Sequence, residues 1–294
     1  MFPQSCLLYT SCTDVSCSFD CYDQCISSPE RVWKGAYKMK KKLTFAFLFL
    51  LALAMLFPVF YMVKNSFVYE NVTEFSLMAY YRILFSEPQY LLKFWKSLGM
   101  CLVIAAGQTL VGCMGGVAFA KYRFIGQKIW FGLLLLFMLL PVQVTLLPNY
   151  IVLDKLQFLD TYKALIVPAI FSPFGVIWMT LIFRTMPSDW LDAANLDGAG
   201  KMRTLISVLI PAGKAGVASL FVLSFVDSWN MVEQPMVFLQ EERQYPLSVF
   251  LAGMSGNGFS LQYVCGILSL IPVSLLFLYF QEELMEGISG SVGR

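Results

Sequence analysis

The chain has 294 residues, of which 58% are hydrophobic and only 14% charged, and its mean hydropathy is +0.67. That is far too apolar for a soluble globular domain. A net charge of +2 without a dense basic patch excludes a nucleic-acid-binding surface, and the absence of histidine excludes His-based metal catalysis and His proton shuttles.

Residues 1–38 hold five of the eight cysteines, Cys6, Cys12, Cys17, Cys21 and Cys25. Their spacing is irregular, no CxxC pair occurs and no histidine could join them, so a zinc site is the weaker reading. A disulfide cluster needs an oxidising compartment. The segment lacks the apolar core of a signal peptide. It reads as a disordered cytoplasmic leader or an extension upstream of the true start, with MKKK at Met39 as the natural beginning. The domain expectation is therefore 1–38 leader and 39–294 membrane domain.

Six apolar stretches then follow, at 43–63, 97–120, 129–150, 164–183, 212–236 and 264–280. Each approaches the ~20 apolar residues that one helical crossing of a bilayer needs. None alternates as a barrel strand would. The spacing predicts an all-α polytopic membrane protein with six transmembrane helices. With the N-terminus inside, the inside segments carry twice as many Lys and Arg as the outside loops, which favours both termini in the cytoplasm.

Within the spans, Cys101, Cys113 and Cys265 read as packing residues. Gly112 and Gly116 form a GxxxG pair that lets helices approach closely. Pro141, Pro148, Pro168 and Pro173 interrupt the third and fourth spans, since proline removes a helix donor and kinks the chain.

Between the fourth and fifth spans lies a polar element, DAANLDGAGKMRTLISVLIP at 192–211. Ser188 can cap a helix starting at Asp189. Leu191 and Ala194 share a face, with Trp190 beside them. Gly198 and Gly200 permit a turn without a Cβ clash. Met202, Leu205, Ile206 and Leu209 follow i, i+3, i+4, i+7, opposite Lys201, Arg203 and Ser207. The pattern predicts a helix–turn–helix at the cytoplasmic surface, either a docking element or an amphipathic connector. A phosphate loop is excluded: Asn195 stands where the first Gly is needed and Met202 where Ser or Thr should follow Lys201.

Near the outer end of the fifth span, Asp227, Trp229, Asn230 and Glu233 crowd polar and aromatic groups together. Charge facing lipid is costly, about 2.5–3.5 kcal/mol at the bilayer centre. These residues are expected to face the bundle or a water-filled pathway, or else Asn230 bonds a neighbouring helix and Trp229 anchors the interface.

The spacing Asp192-Ala193-Ala194, Asp197-Gly198-Ala199 and Ile210-Pro211 resembles the EAA loop of membrane subunits of bacterial ABC importers, with Asp192 for Glu and Ile210 for Leu as departures. AFAKYRF at 118–124, the stretch 139–168, Trp229-Asn230 and EGISGSVG near the C-terminus are similar to MalG-like carbohydrate-type permeases. Trp229-Asn230 is followed by Met231-Val232 where the family usually has Asp-Phe. The resemblance covers about residues 39–294.

It implies a type I ABC importer permease in the bacterial cytoplasmic membrane, with no catalytic residue, metal or cofactor of its own. ATP would be bound by two cytoplasmic ATPase subunits. A second homologous permease and an extracytoplasmic solute-binding protein complete the expected assembly, embedded in the lipid bilayer, with sugars as solutes. Asp192, Ala193, Ala194, Asp197, Gly198, Ala199 and Pro211 would form the ATPase-coupling surface. Asp227, Trp229, Asn230 and Glu233 would line the pathway. The alternative is an autonomous secondary transporter or membrane-embedded enzyme, which needs ionisable groups deep within spans; Asp227 and Glu233 are the candidates.

Overall fold

A computed structural model describes residues 44–68, 76–86, 88–254 and 259–285, all of them helix, turn or loop without strands. The leader, its cysteines, Met39 and the EGISGSVG tail lie outside the described residues. The described chain parts into two units between Tyr61 and Met62.

The first helix, α1 (Thr44–Ser66), is an apolar helix of 23 residues. A short α2 (Met78–Tyr81) passes into a π-helical turn at Arg82–Ser86. Helix α3 (Pro88–Lys121) has 34 residues. At 1.5 Å per residue it is about 51 Å long, well beyond the ~30 Å hydrocarbon core.

Helices α4 (Gln127–Leu139) and α5 (Val142–Lys155) follow, bent against each other by 107°. The span expected at 129–150, with a kink at Pro141, is thus broken outright into two helices. Leu140 turns to extended backbone (ψ 129°) before Pro141, because proline disfavours the helical region for its predecessor and offers no N–H to the ladder. Helices α6 (Lys163–Ile170) and α7 (Pro173–Arg184) together make a span of 22 residues, with Pro173 in the first turn of α7.

The polar element folds as α8 (Asp189–Leu196), α9 (Lys201–Thr204), a π-helical turn at Leu205–Leu209 and α10 (Ile210–Ala212). A bend of 87° separates it from α11 (Lys214–Trp229). Beyond lie α12 (Glu233–Phe238), a 3₁₀ turn at Glu242–Gln244, α13 (Leu247–Gly253) and α14 (Phe259–Tyr279). Among the described residues, four helices are long and apolar enough to cross a membrane alone, and up to six if each bent pair is one span.

The fifth span expected at 212–236 is a second correction. α11 covers only 214–229 and stops where Asn230 Nδ2 donates to the Val226 carbonyl at 2.8 Å. That bond occupies a carbonyl of the last turn. Pro235 could not continue the ladder in any case and sits buried in α12.

Helix α3 is the hub, packed along α7 and α11. The GxxxG expectation holds here. A Cβ on Gly112 would stand 2.9 Å from the Gly175 carbonyl oxygen, and one on Gly116 would stand 2.6 Å from Met179 Cβ. Hydrogens there let two backbones touch where van der Waals packing, not water exclusion, binds helices. Cys113, Met179, Phe183 and Leu220 pack at one end of this crossing, and Cys101, Phe225 and Cys265 belong to the cluster at the other. All three cysteines are buried.

Candidate functional site

The loop at 188–213 is held to the bundle by a few apolar side chains. Leu191 and Ala194 are buried, and Leu191 joins Leu205 and Leu209 in the cluster with Phe183 and Met179. Lys121 Nζ donates to the Met186 carbonyl at 2.6 Å, and Lys201 lies 4.9 Å from the centre of the Tyr122 ring. At the 87° bend, a Cβ on Gly213 would meet Met186 Cε at 2.9 Å and the Leu209 carbonyl oxygen at 3.2 Å. The loop is therefore seated between the ends of α3, α7 and α11.

Helix α8 ends by a definite mechanism. Gly198 has φ +73°, the left-handed region. Its N–H donates to Asn195 O at 3.0 Å, and the Ala199 N–H donates to Ala194 O at 2.9 Å. This pair of bonds is the Schellman closure, which satisfies the last helical carbonyls and requires a left-handed residue. A Cβ on Gly198 would meet nothing within 4 Å, so backbone conformation, not space, selects glycine there. Gly200 has φ −68° and needs no such freedom.

Two local expectations fail. Ser188 makes no side-chain cap bond; its carbonyl instead accepts from Leu191 N–H at 2.9 Å. The stripe of Met202, Leu205, Ile206 and Leu209 splits: Leu205 and Leu209 are buried, while Met202 and Ile206 are exposed. The π-helical turn at Leu205–Leu209 underwinds the helix, so a 3.6-residue period overcounts the buried face.

What the loop presents outward is Asp192, Ala193, Asn195, Leu196, Asp197 and Gly198, all exposed, with Ala199 partly so. Asp189 and Asp192 occupy the first turn of α8, where acids favour the positive end of the helix. Leu196 is 90% exposed. Sequence reasoning passed over it, although an aliphatic off the Leu191/Ala194 stripe is a readable sign of a surface that expects a partner. Between α8 and α9 runs a groove of about 440 Å³, lined by Trp190, Ala193, Asp197, Arg203 and Ser207 among others. Pro211 is exposed in the first turn of α10.

The second group divides by burial. Trp229 is 8% exposed. Its ring stacks on Phe225 at 5.6 Å and meets Phe94 edge-on at 5.8 Å, while its indole N–H donates to the Ser269 carbonyl at 3.2 Å. It thus ties α11 to α3 and α14. Asp227, Asn230 and Glu233 are exposed in this chain. Gln143, at the start of α5, donates through Nε2 to both Glu233 carboxylate oxygens at 2.8 and 2.9 Å. Asp160 Oδ1 accepts from the Gln240 N–H at 2.6 Å and its own N–H donates to Phe238 O, fixing the far end of α12. Gln143 was not singled out from sequence: one amide beside Pro141 carries no periodic signal.

Four membrane-length apolar helices among the described residues, up to six with the bent pairs, and a structured polar loop at 188–213 fit a membrane transport subunit. Residues 108–285 match the family described as the binding-protein-dependent transport system inner membrane component, and the chain belongs to that family. It is 28% identical over 199 residues to the arabinooligosaccharides transport system permease protein AraQ of Halalkalibacterium halodurans, covering 67% of this chain and 71% of that one. It is also 28% identical over 207 residues to the sn-glycerol-3-phosphate transport system permease protein UgpE of Escherichia coli, covering 67% and 74%. A chain in the crystal structure of a bacterial ABC transporter involved in the import of the acidic polysaccharide alginate superposes with a TM-score of 0.71 at 20% identity, covering 84% of this chain and 97% of that one. The fold is that of a type I importer permease.

The chain is therefore an ABC importer permease, a multi-pass protein of the inner membrane, working with a solute-binding protein and an ATPase. It is a transport subunit and not an enzyme, with ATP hydrolysis in a separate subunit. That answers the alternative of an autonomous transporter or enzyme.

Proposed function

We propose that this permease forms half of a transmembrane pathway for sugar uptake, paired with a second homologous permease and driven by two ATPase subunits docked on the 188–213 loop. The observation that carries the coupling reading is α8 itself. Leu191 and Ala194 seat it on the bundle while Asp192, Ala193, Leu196, Asp197 and the Schellman closure at Gly198 face outward. A helix seated between the ends of α3, α7 and α11 passes a rigid displacement to all three. That is what conversion of ATPase closure into alternating access requires. The charge distribution supports both termini in the cytoplasm, on the side of this loop.

The carbohydrate reading rests on the relatives, whose names give arabinooligosaccharides and sn-glycerol-3-phosphate as solutes. Asp227, Asn230 and Glu233 would face the pathway or the second permease, since their exposure to lipid would be costly. Trp229 would serve that face by fixing the end of α11. No cofactor or metal is proposed for this chain.

Cysteine cross-linking tests the docking. Leu196→Cys paired with cysteines across the cleft of the co-expressed ATPase should give a nucleotide-dependent cross-link. Cross-links formed from Phe45→Cys but never from Leu196→Cys would overturn it.

A further inference from the structure

The sharpest feature outside the coupling loop and pathway face is a pair of adjoining hollows along α4. One is an apolar groove of about 530 Å³ between α3, α4 and α7. Met114, Phe119, Trp130, Phe137, Phe171 and Val176 line it, and no polar atom contributes to its wall. The other, about 740 Å³, sits at the 122–129 turn and is lined by Arg123, Lys128 and the backbone around Gly126. The two adjoin where Gly126 of the second faces Trp130 of the first, a Cβ there standing 3.5 Å from the indole ring, and at the Phe119–Phe124 ring pair, 5.4 Å apart.

Each half asks for a different chemistry. An apolar groove among membrane-spanning helices offers little to a polar solute and suits hydrocarbon. At the basic turn, neither Arg123 nor Lys128 has a carboxylate partner among the described residues. The turn is itself held in place: Gln127 Nε2 donates to the Phe119 carbonyl at 2.8 Å, and Lys121, two residues after Phe119, is bonded to Met186. Arg184 closes the same side, its guanidinium 4.7 Å from the centre of the Phe131 ring. The cations therefore lie at the coupling-loop end of the groove, Arg123 just past the apolar span that ends at Lys121 and Lys128 in the first turn of α4. Basic pockets between transmembrane helices on that side suit anionic lipid headgroups.

We propose that this composite site holds one anionic phospholipid, its phosphate at Arg123 and Lys128 and an acyl chain along Trp130 toward Phe137. The lipid would fill the seam between α4 and α7 beside the coupling loop. This inference is independent of the solute and of ATPase docking.

The full chain in nanodiscs of phosphatidylcholine tests it, with a small, fixed fraction of lipid brominated on its acyl chains. The contribution of Trp130 is read as the fluorescence difference between wild type and Trp130→Phe. Brominated phosphatidylglycerol should quench Trp130 at least threefold more than brominated phosphatidylcholine at the same fraction. Arg123→Gln with Lys128→Gln, both on exposed positions, should abolish that preference while leaving quenching at high lipid fraction. Leu134→Phe, which narrows the groove, should reduce quenching by both lipids. Equal quenching by the two headgroups in the wild type means ordinary bulk-lipid contact and overturns the proposal. So does absence of quenching by either, which means that protein covers the groove.

Discussion

Gln143 and Glu233 lie 90 residues apart in sequence, yet the amide nitrogen of one donates to both carboxylate oxygens of the other, at 2.8 and 2.9 Å. The bond fastens α12 to the start of α5, immediately after the 107° bend. It gives a polar clasp to two elements that otherwise end in mid-chain breaks.

Glu233→Gln keeps one acceptor for Gln143 and removes the charge; Gln143→Ala removes the clasp and leaves the carboxylate unpaired. Hydrogen bonds to charged groups contribute about 1.5–3 kcal/mol. The pair is exposed, so about 1 kcal/mol is the expected loss for Gln143→Ala after screening. Initial uptake rates should fall roughly fivefold in that variant and less in Glu233→Gln. Uptake unaffected by both, at equal membrane abundance, removes any transport role for the clasp.

At Gly198 the order of substitutions separates conformation from size. Asn tolerates the left-handed region, Ala tolerates it poorly and a β-branched residue is worst. Strain of about 1–3 kcal/mol is expected for Gly198→Val. Uptake and binding-protein-stimulated ATP hydrolysis should decline in the order Gly, Asn, Ala, Val at constant membrane abundance. Because open space surrounds the position, an order following side-chain volume instead would contradict the Schellman account.

Trp229 and Asn230 are neighbours with different expected phenotypes. Trp229→Ala empties a buried site and should lower stability by about 3–5 kcal/mol, visible as reduced abundance and a lower melting temperature. Trp229→Phe keeps the ring against Phe225 and loses the bond to Ser269, about 0.5–1.5 kcal/mol. Asn230→Ala should leave abundance near normal and alter uptake. Changed solute preference in Trp229→Phe at full stability would show a direct solute contact.

Helix crossing gives a paired test. Gly116→Ala puts a methyl 2.6 Å from Met179 Cβ and 2.8 Å from its carbonyl carbon, so α3 and α7 must separate, at about 1–3 kcal/mol. Gly99→Ala, on the same helix with nothing within 4 Å, should be neutral or gain up to about 1 kcal/mol from helix propensity. Thermal unfolding in detergent measures both, and equal melting temperatures for the two variants would refute the close approach.

The sequence made the hub legible because Gly112 and Gly116 carry their own spacing, and it made the end of α8 legible because glycine suits the φ of Gly198 best. It misjudged the fifth span because Met231, Val232 and Met236 were counted into it across the polar run Asp227 to Gln234, and hydropathy cannot register a side chain, that of Asn230, that turns back on its own helix. Pro235 was the available sign. The split of Met202 and Ile206 from Leu205 and Leu209 had no sign: a stripe at helical spacing assumes 3.6 residues per turn, and the π-helical turn at 205–209 depends on tertiary seating. The burial of Trp229 was equally hidden, since its partners Phe94 and Ser269 come from two other helices.

The length of α11 has an electrical consequence. Sixteen residues span about 24 Å at 1.5 Å per residue, some 6 Å less than a hydrocarbon core of ~30 Å, and any tilt shortens the reach further. Where the exposed Asp227 and Asn230 bring water to its last turn, the insulating layer beside α11 would be thinner than the surrounding bilayer, and the membrane voltage would fall over that reduced depth. A charged solute moving past α11 would therefore cross most of the field within the helix itself, each elementary charge changing its energy by about 2.3 kcal/mol per 100 mV. A neutral one would feel none of it.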